Sequence, residues 1–143
     1  MIKNVLFDID DTLYDHQFAS SQAIQSLASN YYRITGFNEP LKFIQAYYRV
    51  KSELDGLNPK SFDKTSHFLK IIRLANREGK VDLAKELGKS YWKEILKRTV
   101  PYPDVKPTLI ILKKQRYQLG IVSDGLIQTQ SLRLNKLGFS DLF

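Results

Sequence analysis

The stretch Val5-Leu6-Phe7-Asp8-Ile9-Asp10-Asp11-Thr12-Leu13 decides how this chain is read. Val5, Leu6, Phe7 and Ile9 form an apolar run, and three carboxylates follow within four positions, Asp8, Asp10 and Asp11. Such a run predicts a buried strand over residues 2–9. The carboxyl end of a strand in an open parallel sheet is where a ligand crevice forms. Acids crowded there repel one another and lose solvation, so a balancing cation is expected. Asp8 and Asp10 are two apart and would share one face of a continuous strand. A carboxylate can attack phosphorus, and a second carboxyl group can protonate the leaving oxygen and then activate water. Magnesium would offset the charge of the pair and draw in a phosphate.

The rest of the chain sorts into two textures. From about residue 17 to 98 the apolar residues repeat at helical spacing. Ala19, Ala23, Ile24, Leu27, Tyr31 and Ile34 mark one helix, with Gly36 as its stop. A second begins at Pro40 and carries Phe43, Ile44, Tyr47 and Tyr48. The cluster Asp55-Gly56-Leu57-Asn58-Pro59 predicts a turn, and Ser61 is placed to cap a third helix bearing Phe68, Ile71, Ile72 and Ala75. Arg77-Glu78-Gly79-Lys80 should end it, and a fourth follows with Leu83, Leu87, Tyr91, Ile95 and Leu96. Four amphipathic helices imply a small bundle. The aromatic pairs within it, such as Tyr47-Tyr48 and Tyr91-Trp92, are expected to pack its core.

Pro101 and Pro103 then mark an extended linker. An α/β texture returns beyond it. A short helix is expected from Pro107 to Lys114, a strand from Tyr117 to Ser123, and a helix over 127–137 closed by Gly138. Residues 139–143 contain no complete element. The fold class is therefore α/β, with a helical segment, residues 16–99, inserted into a core made of 1–15 and 100–143. A helical lid there would dry a site at the strand tips.

Bulk properties narrow the function. The 143 residues suit one domain with a small subdomain. With 22 basic and 15 acidic residues the formal charge is +7, but the cations are scattered, so neither nucleic acid nor membrane is an expected partner. An anionic small molecule fits better. Cysteine is absent, which excludes disulfides and thiolate metal sites. No apolar run approaches the roughly 18 residues of a membrane span, and the N-terminus lacks a signal-peptide pattern. A cytoplasmic location is expected.

Phe7-Asp8-Ile9-Asp10-Asp11-Thr12-Leu13 resembles the DxDxT motif of the haloacid dehalogenase-like (HAD) superfamily. Gly120-Ile121-Val122-Ser123-Asp124-Gly125 resembles the second signature of that family, an apolar strand ending in Ser or Thr. Tyr102-Pro103-Asp104-Val105 is similar to the point where such chains re-enter the core after a helical cap. The resemblance implies a Rossmann-like parallel-sheet core and a magnesium-dependent phosphatase acting on a small phosphorylated metabolite. Asp8 would be nucleophile and metal ligand. Asp10 would be general acid/base, its main-chain carbonyl touching the metal. Thr12 would support the turn, and Ser123 would hydrogen-bond a phosphoryl oxygen, helped by the amides of Asp124 and Gly125. Hydroxyls and free amides at a strand-to-helix turn are suitable phosphoryl donors in their own right.

The lysine and the final acidic motif of the family have no match, so the chain is expected to be part of a longer enzyme. Unpaired sheet edges would then favour association of copies. Related alternatives are a 2-haloacid dehalogenase, against which the acid at Asp10 argues, and a phosphomutase. A non-enzymatic alternative is an inactive interaction module. Asp11 is read as a loop or cap contact, His16 as a hinge residue and His67 as cap packing.

Overall fold

Strand β1, Asn4–Phe7, pairs in parallel with β2, Gln118–Ile121. The register sets Val5 opposite Leu119 and Phe7 opposite Ile121. The computed structural model describes residues 3–57, 64–77 and 79–143. A parallel pair requires a crossover between its strands, and among the described residues that crossover holds five helices. They are α1 (His16–Thr35), α2 (Pro40–Leu57), α3 (Lys64–Leu74), α4 (Val81–Arg98) and α5 (Val105–Lys114). After β2 come α6 (Ile127–Leu137) and a 3₁₀ turn, Ser140–Leu142. No helix among the described residues is long and apolar enough to cross a membrane.

Contacts divide the chain into two units. One comprises Met1–Ala19 and Leu96–Phe143, the other Ser20–Ile95. The first is the α/β unit, with Ile9, Leu13, Tyr14, Leu109, Leu119, Leu137 and Phe139 buried. The second is helical. Its center is aromatic: Phe68 lies 6.3 Å from Phe43, 6.1 Å from Tyr47 and 6.2 Å from Tyr91 between ring centroids. Ile24, Leu27, Val50, Ile71, Ile72, Leu87 and Ile95 are buried in the same unit, as is His67. Buried phenols need partners. Tyr47 donates to the Tyr91 hydroxyl at 3.4 Å, and Tyr91 meets Ser20 Oγ at 2.8 Å.

Several sequence expectations change. The strands are short, and β1 is not buried: Leu6 is 66% exposed. With only two strands described, neither is covered as a central strand of a wide parallel sheet would be. Ile34 and Tyr48 face outward, and Thr35, Ala46 and Val50 take their places on the buried helix faces. Residues 55–57 continue α2 rather than starting a turn, while Asn58, Pro59, Ser61 and Glu78 lie outside the described residues. α3 stops at Leu74, followed by Asn76 at φ +56°. α5 starts at Val105, two residues earlier than expected, because Pro107 fits a first helical turn where no amide partner is needed. The last residues form a 3₁₀ turn. Gly36 and Gly138 end their helices at φ +99° and +75°, as their positions predict.

Candidate active site in the α/β unit

Asp8 follows the last residue of β1 and is exposed. The chain then turns sharply. The amides of Thr12 and Leu13 both bond to the Ile9 carbonyl, at 3.4 and 2.9 Å, and Asp11 takes a left-handed φ of +60°. Aspartate tolerates that conformation better than most residues. Ile9 and Leu13 are buried and anchor the turn, while Asp11 and Thr12 are exposed. Two acids here serve the next helix. Asp15 Oδ1 accepts from the Phe18 amide at 2.7 Å, and Asp11 Oδ1 from the Gln17 amide at 3.0 Å. Together they satisfy orphan donors of the first turn of α1. Asp11 is thus engaged in helix capping.

Asp10 is the hub of a polar network. Its Oδ1 accepts from the Tyr14 hydroxyl at 2.8 Å. Its Oδ2 accepts from Arg133 Nη1 at 2.7 Å and from Gln130 Nε2 at 3.3 Å. His16 Nδ1 is 3.7 Å from Oδ1 and 2.9 Å from the Tyr14 oxygen. Since Tyr14 donates to Asp10, its oxygen accepts from His16. Burial, first of all, pushes the Tyr14 phenol well above its ordinary range; Arg133 opposes that rise and Asp10 adds to it. Tyr14 therefore stays a donor at neutral pH.

Ser123 lies two residues beyond β2 and is half-buried. Its Oγ accepts from Gln130 Nε2 at 2.6 Å and from the Gly125 amide at 3.3 Å. Gln130 thus bridges the two sequence motifs, touching Asp10 and Ser123. Arg133 Nη1 donates to Gln130 Oε1 at 2.6 Å. Gln130 and Arg133 are 5% and 3% exposed, and with Leu137 they form the buried face of α6. Asp124 is exposed beside Ser123.

The sequence reading missed Tyr14, Gln130 and Arg133. The spacing of Gln130, Arg133 and Leu137, three and four apart, puts them on one helix face, but only their burial, with Leu126 and Ile127 facing solvent, shows that this face turns inward. A buried polar residue is more informative than an exposed apolar one. Two surface pockets, one lined by Ser26, Tyr31 and Ser90 and the other by Gly120, Leu134 and Phe143, are lined by none of Asp8, Asp10 and Ser123.

Among the described residues, no three His, Cys, Asp or Glu side chains form a ready-made metal cluster. The donor chemistry nonetheless suits magnesium, which keeps waters and uses one or two carboxylates together with substrate phosphate. Asp8 offers an exposed carboxylate. The Asp10 carboxylate already accepts from Arg133, Gln130 and Tyr14, so its main-chain oxygen is the more available donor for such a role.

A family model described as haloacid dehalogenase-like hydrolase matches residues 2–143. The chain is 31% identical over 149 residues to glyceraldehyde 3-phosphate phosphatase of Methanopyrus kandleri, covering 100% of this chain and 60% of that protein. It is 28% identical over 145 residues to ribulose-1,5-bisphosphate 5-phosphatase of Halopiger xanaduensis, covering 99% and 60%. Among solved structures, a HAD hydrolase from Bacillus subtilis bound to magnesium superposes with a TM-score of 0.70 at 20% identity, covering 99% of this chain and 62% of that one. A 2-haloacid dehalogenase from Pseudomonas syringae superposes with a TM-score of 0.62 at 24% identity, covering 100% and 62%. This chain shares with them a partial Rossmann-like core with a helical cap. The chain belongs to the haloacid dehalogenase-like hydrolase family. It spans about 60% of the length of the curated relatives it matches.

Proposed function

We propose that the protein is a magnesium-dependent phosphatase that hydrolyses a small phosphate monoester through a covalent intermediate on Asp8. The observation that carries this reading is the bridge from Asp10 through Gln130 to Ser123, which ties an acid/base candidate to a phosphoryl-contact candidate. The relatives named as phosphatases of short phosphorylated sugars support a substrate of that class, and the +7 charge suits an anion.

In the first step an Asp8 carboxylate oxygen attacks phosphorus as the bond to the leaving oxygen breaks. Asp10 supplies the leaving oxygen with a proton. In the second step water attacks phosphorus, Asp10 takes its proton, and the Asp8–phosphorus bond breaks. Every partner of Asp10 in the network donates to it, so the resting geometry is that of a proton acceptor. Acting as acid requires one of these contacts to give way to the leaving group. Ser123 and the amide of Asp124 would hold phosphoryl oxygens; the Gly125 amide, assigned the same role by the family resemblance, donates instead to Ser123 Oγ at 3.3 Å, and Thr12 lies in the turn after Asp10. Magnesium, held by Asp8 and the Asp10 main-chain oxygen, would neutralise charge on the phosphoryl group.

The test is magnesium-dependent phosphate release from glyceraldehyde 3-phosphate and a generic phosphate ester by the full-length protein. Asp8→Asn should lose at least about a thousandfold in turnover with an unchanged melting temperature. Near-normal turnover in that variant would remove Asp8 from the mechanism.

A further inference from the structure

We propose that Gln130 is a positioning residue that makes Ser123 an obligate hydrogen-bond donor toward the phosphoryl group, with Arg133 fixing the polarity of Gln130. The inference rests on the phosphatase reading above and deepens it. A serine hydroxyl has one proton to give and two lone pairs with which to accept. Both acceptor sites of Ser123 are filled, by Gln130 Nε2 at 2.6 Å and by the Gly125 amide at 3.3 Å. Its single proton is left to point elsewhere.

The amide of a glutamine can be turned either way round, and the reverse orientation would set an acceptor against Ser123 and draw its proton inward. Arg133 prevents this. A guanidinium only donates, so the Gln130 atom 2.6 Å from Arg133 Nη1 is the oxygen. Nε2 then faces Ser123 and Asp10, two acceptors. The proton count closes: Arg133 Nη1 gives one hydrogen to Asp10 and one to Gln130, and Gln130 Nε2 gives one to Asp10 and one to Ser123. Burial holds the arrangement, since both side chains are almost wholly shielded from water. Gly125 belongs to the same construction. A β-carbon there would collide with the Gln130 side-chain amide, so glycine lets the amide lie against the loop.

The experiment is a double-mutant cycle on kcat/KM for a phosphate monoester in the full-length protein, using Gln130→Met and Ser123→Ala. If Gln130 acts through Ser123, Gln130→Met should lower kcat/KM about tenfold when Ser123 is intact and less than about twofold when it is combined with Ser123→Ala. An equal loss in both backgrounds would overturn the proposal and leave the phosphatase reading standing. If Ser123→Ala alone changes nothing, the assigned role of Ser123 falls, and this proposal falls with it; Asp8→Asn tests the reading separately. Should Gln130→Met fail to fold by circular dichroism, Gln130→Glu takes its place in the cycle. It keeps a partner for Arg133 but presents an acceptor to Ser123. A larger loss with Ser123 intact than in the Ser123→Ala background supports the proposal, and equal losses overturn it.

Discussion

Asp8 and Asp10 look equivalent in a list of acidic residues, but their surroundings separate them. Asp8 is exposed, whereas Asp10 neutralises Arg133, whose side chain is 4% exposed. A buried guanidinium stripped of its carboxylate is strongly destabilising. Asp10→Ala should therefore lower the unfolding free energy by about 3 kcal/mol, and Asp8→Ala should change it by less than about 0.5 kcal/mol. Urea denaturation of the two variants checks this. Equal losses would mean that the Asp10–Arg133 pair does not hold the unit together. Loss of activity in an Asp10 variant is for the same reason ambiguous, while loss in an Asp8 variant is not. The sequence made the acids and Ser123 legible because they sit at strand ends. It hid Gln130 and Arg133, whose importance depends on which face of α6 turns inward, and a single helix does not announce that.

At the scale of elements, punctuation was more legible than burial. Gly36 and Gly138 stop α1 and α6 because a left-handed residue there lets later amides reach back to the last carbonyls, as Gly138 and Phe139 do to Asn135 and Leu134. Nothing lies within 4 Å of the β-carbon position at Gly138. The cost of Gly138→Ala is therefore conformational alone, about 1 kcal/mol, and Gly138→Asn should recover part of it. Thermal unfolding of the pair measures both, and an alanine variant as stable as the parent would contradict the φ-based account. Burial was harder to read. Leu6, apolar in an apolar run, is mostly exposed where, among the described residues, its strand pairs with β2 alone. Tyr47 and Tyr48 stand side by side, yet only Tyr47 is buried, since adjacent positions on a helix point about 100° apart.

At the scale of the whole molecule, a family signature and a physical reading of strand tips lead to the same residues. The α/β unit assembles Asp10, Ser123, Gln130 and Arg133 from segments more than a hundred residues apart in sequence, as the Asp10–Arg133 separation of 123 positions shows. Spacing alone did not reveal that closure; a parallel strand pair makes it. The helical unit gathers its aromatic rings as the 3.6-residue period requires, independently of any chemistry. The central claim is that the phosphoryl group passes through Asp8. Its most direct test is acid quench of the full-length protein during turnover of a phosphate-labelled monoester, followed by mass spectrometry of the peptide containing residues 4–14. The account predicts a phosphoryl label on Asp8 in the wild type and none in Asp8→Asn. A label on another residue, or efficient phosphate release with no label on Asp8 under conditions that preserve an acyl phosphate, would contradict it.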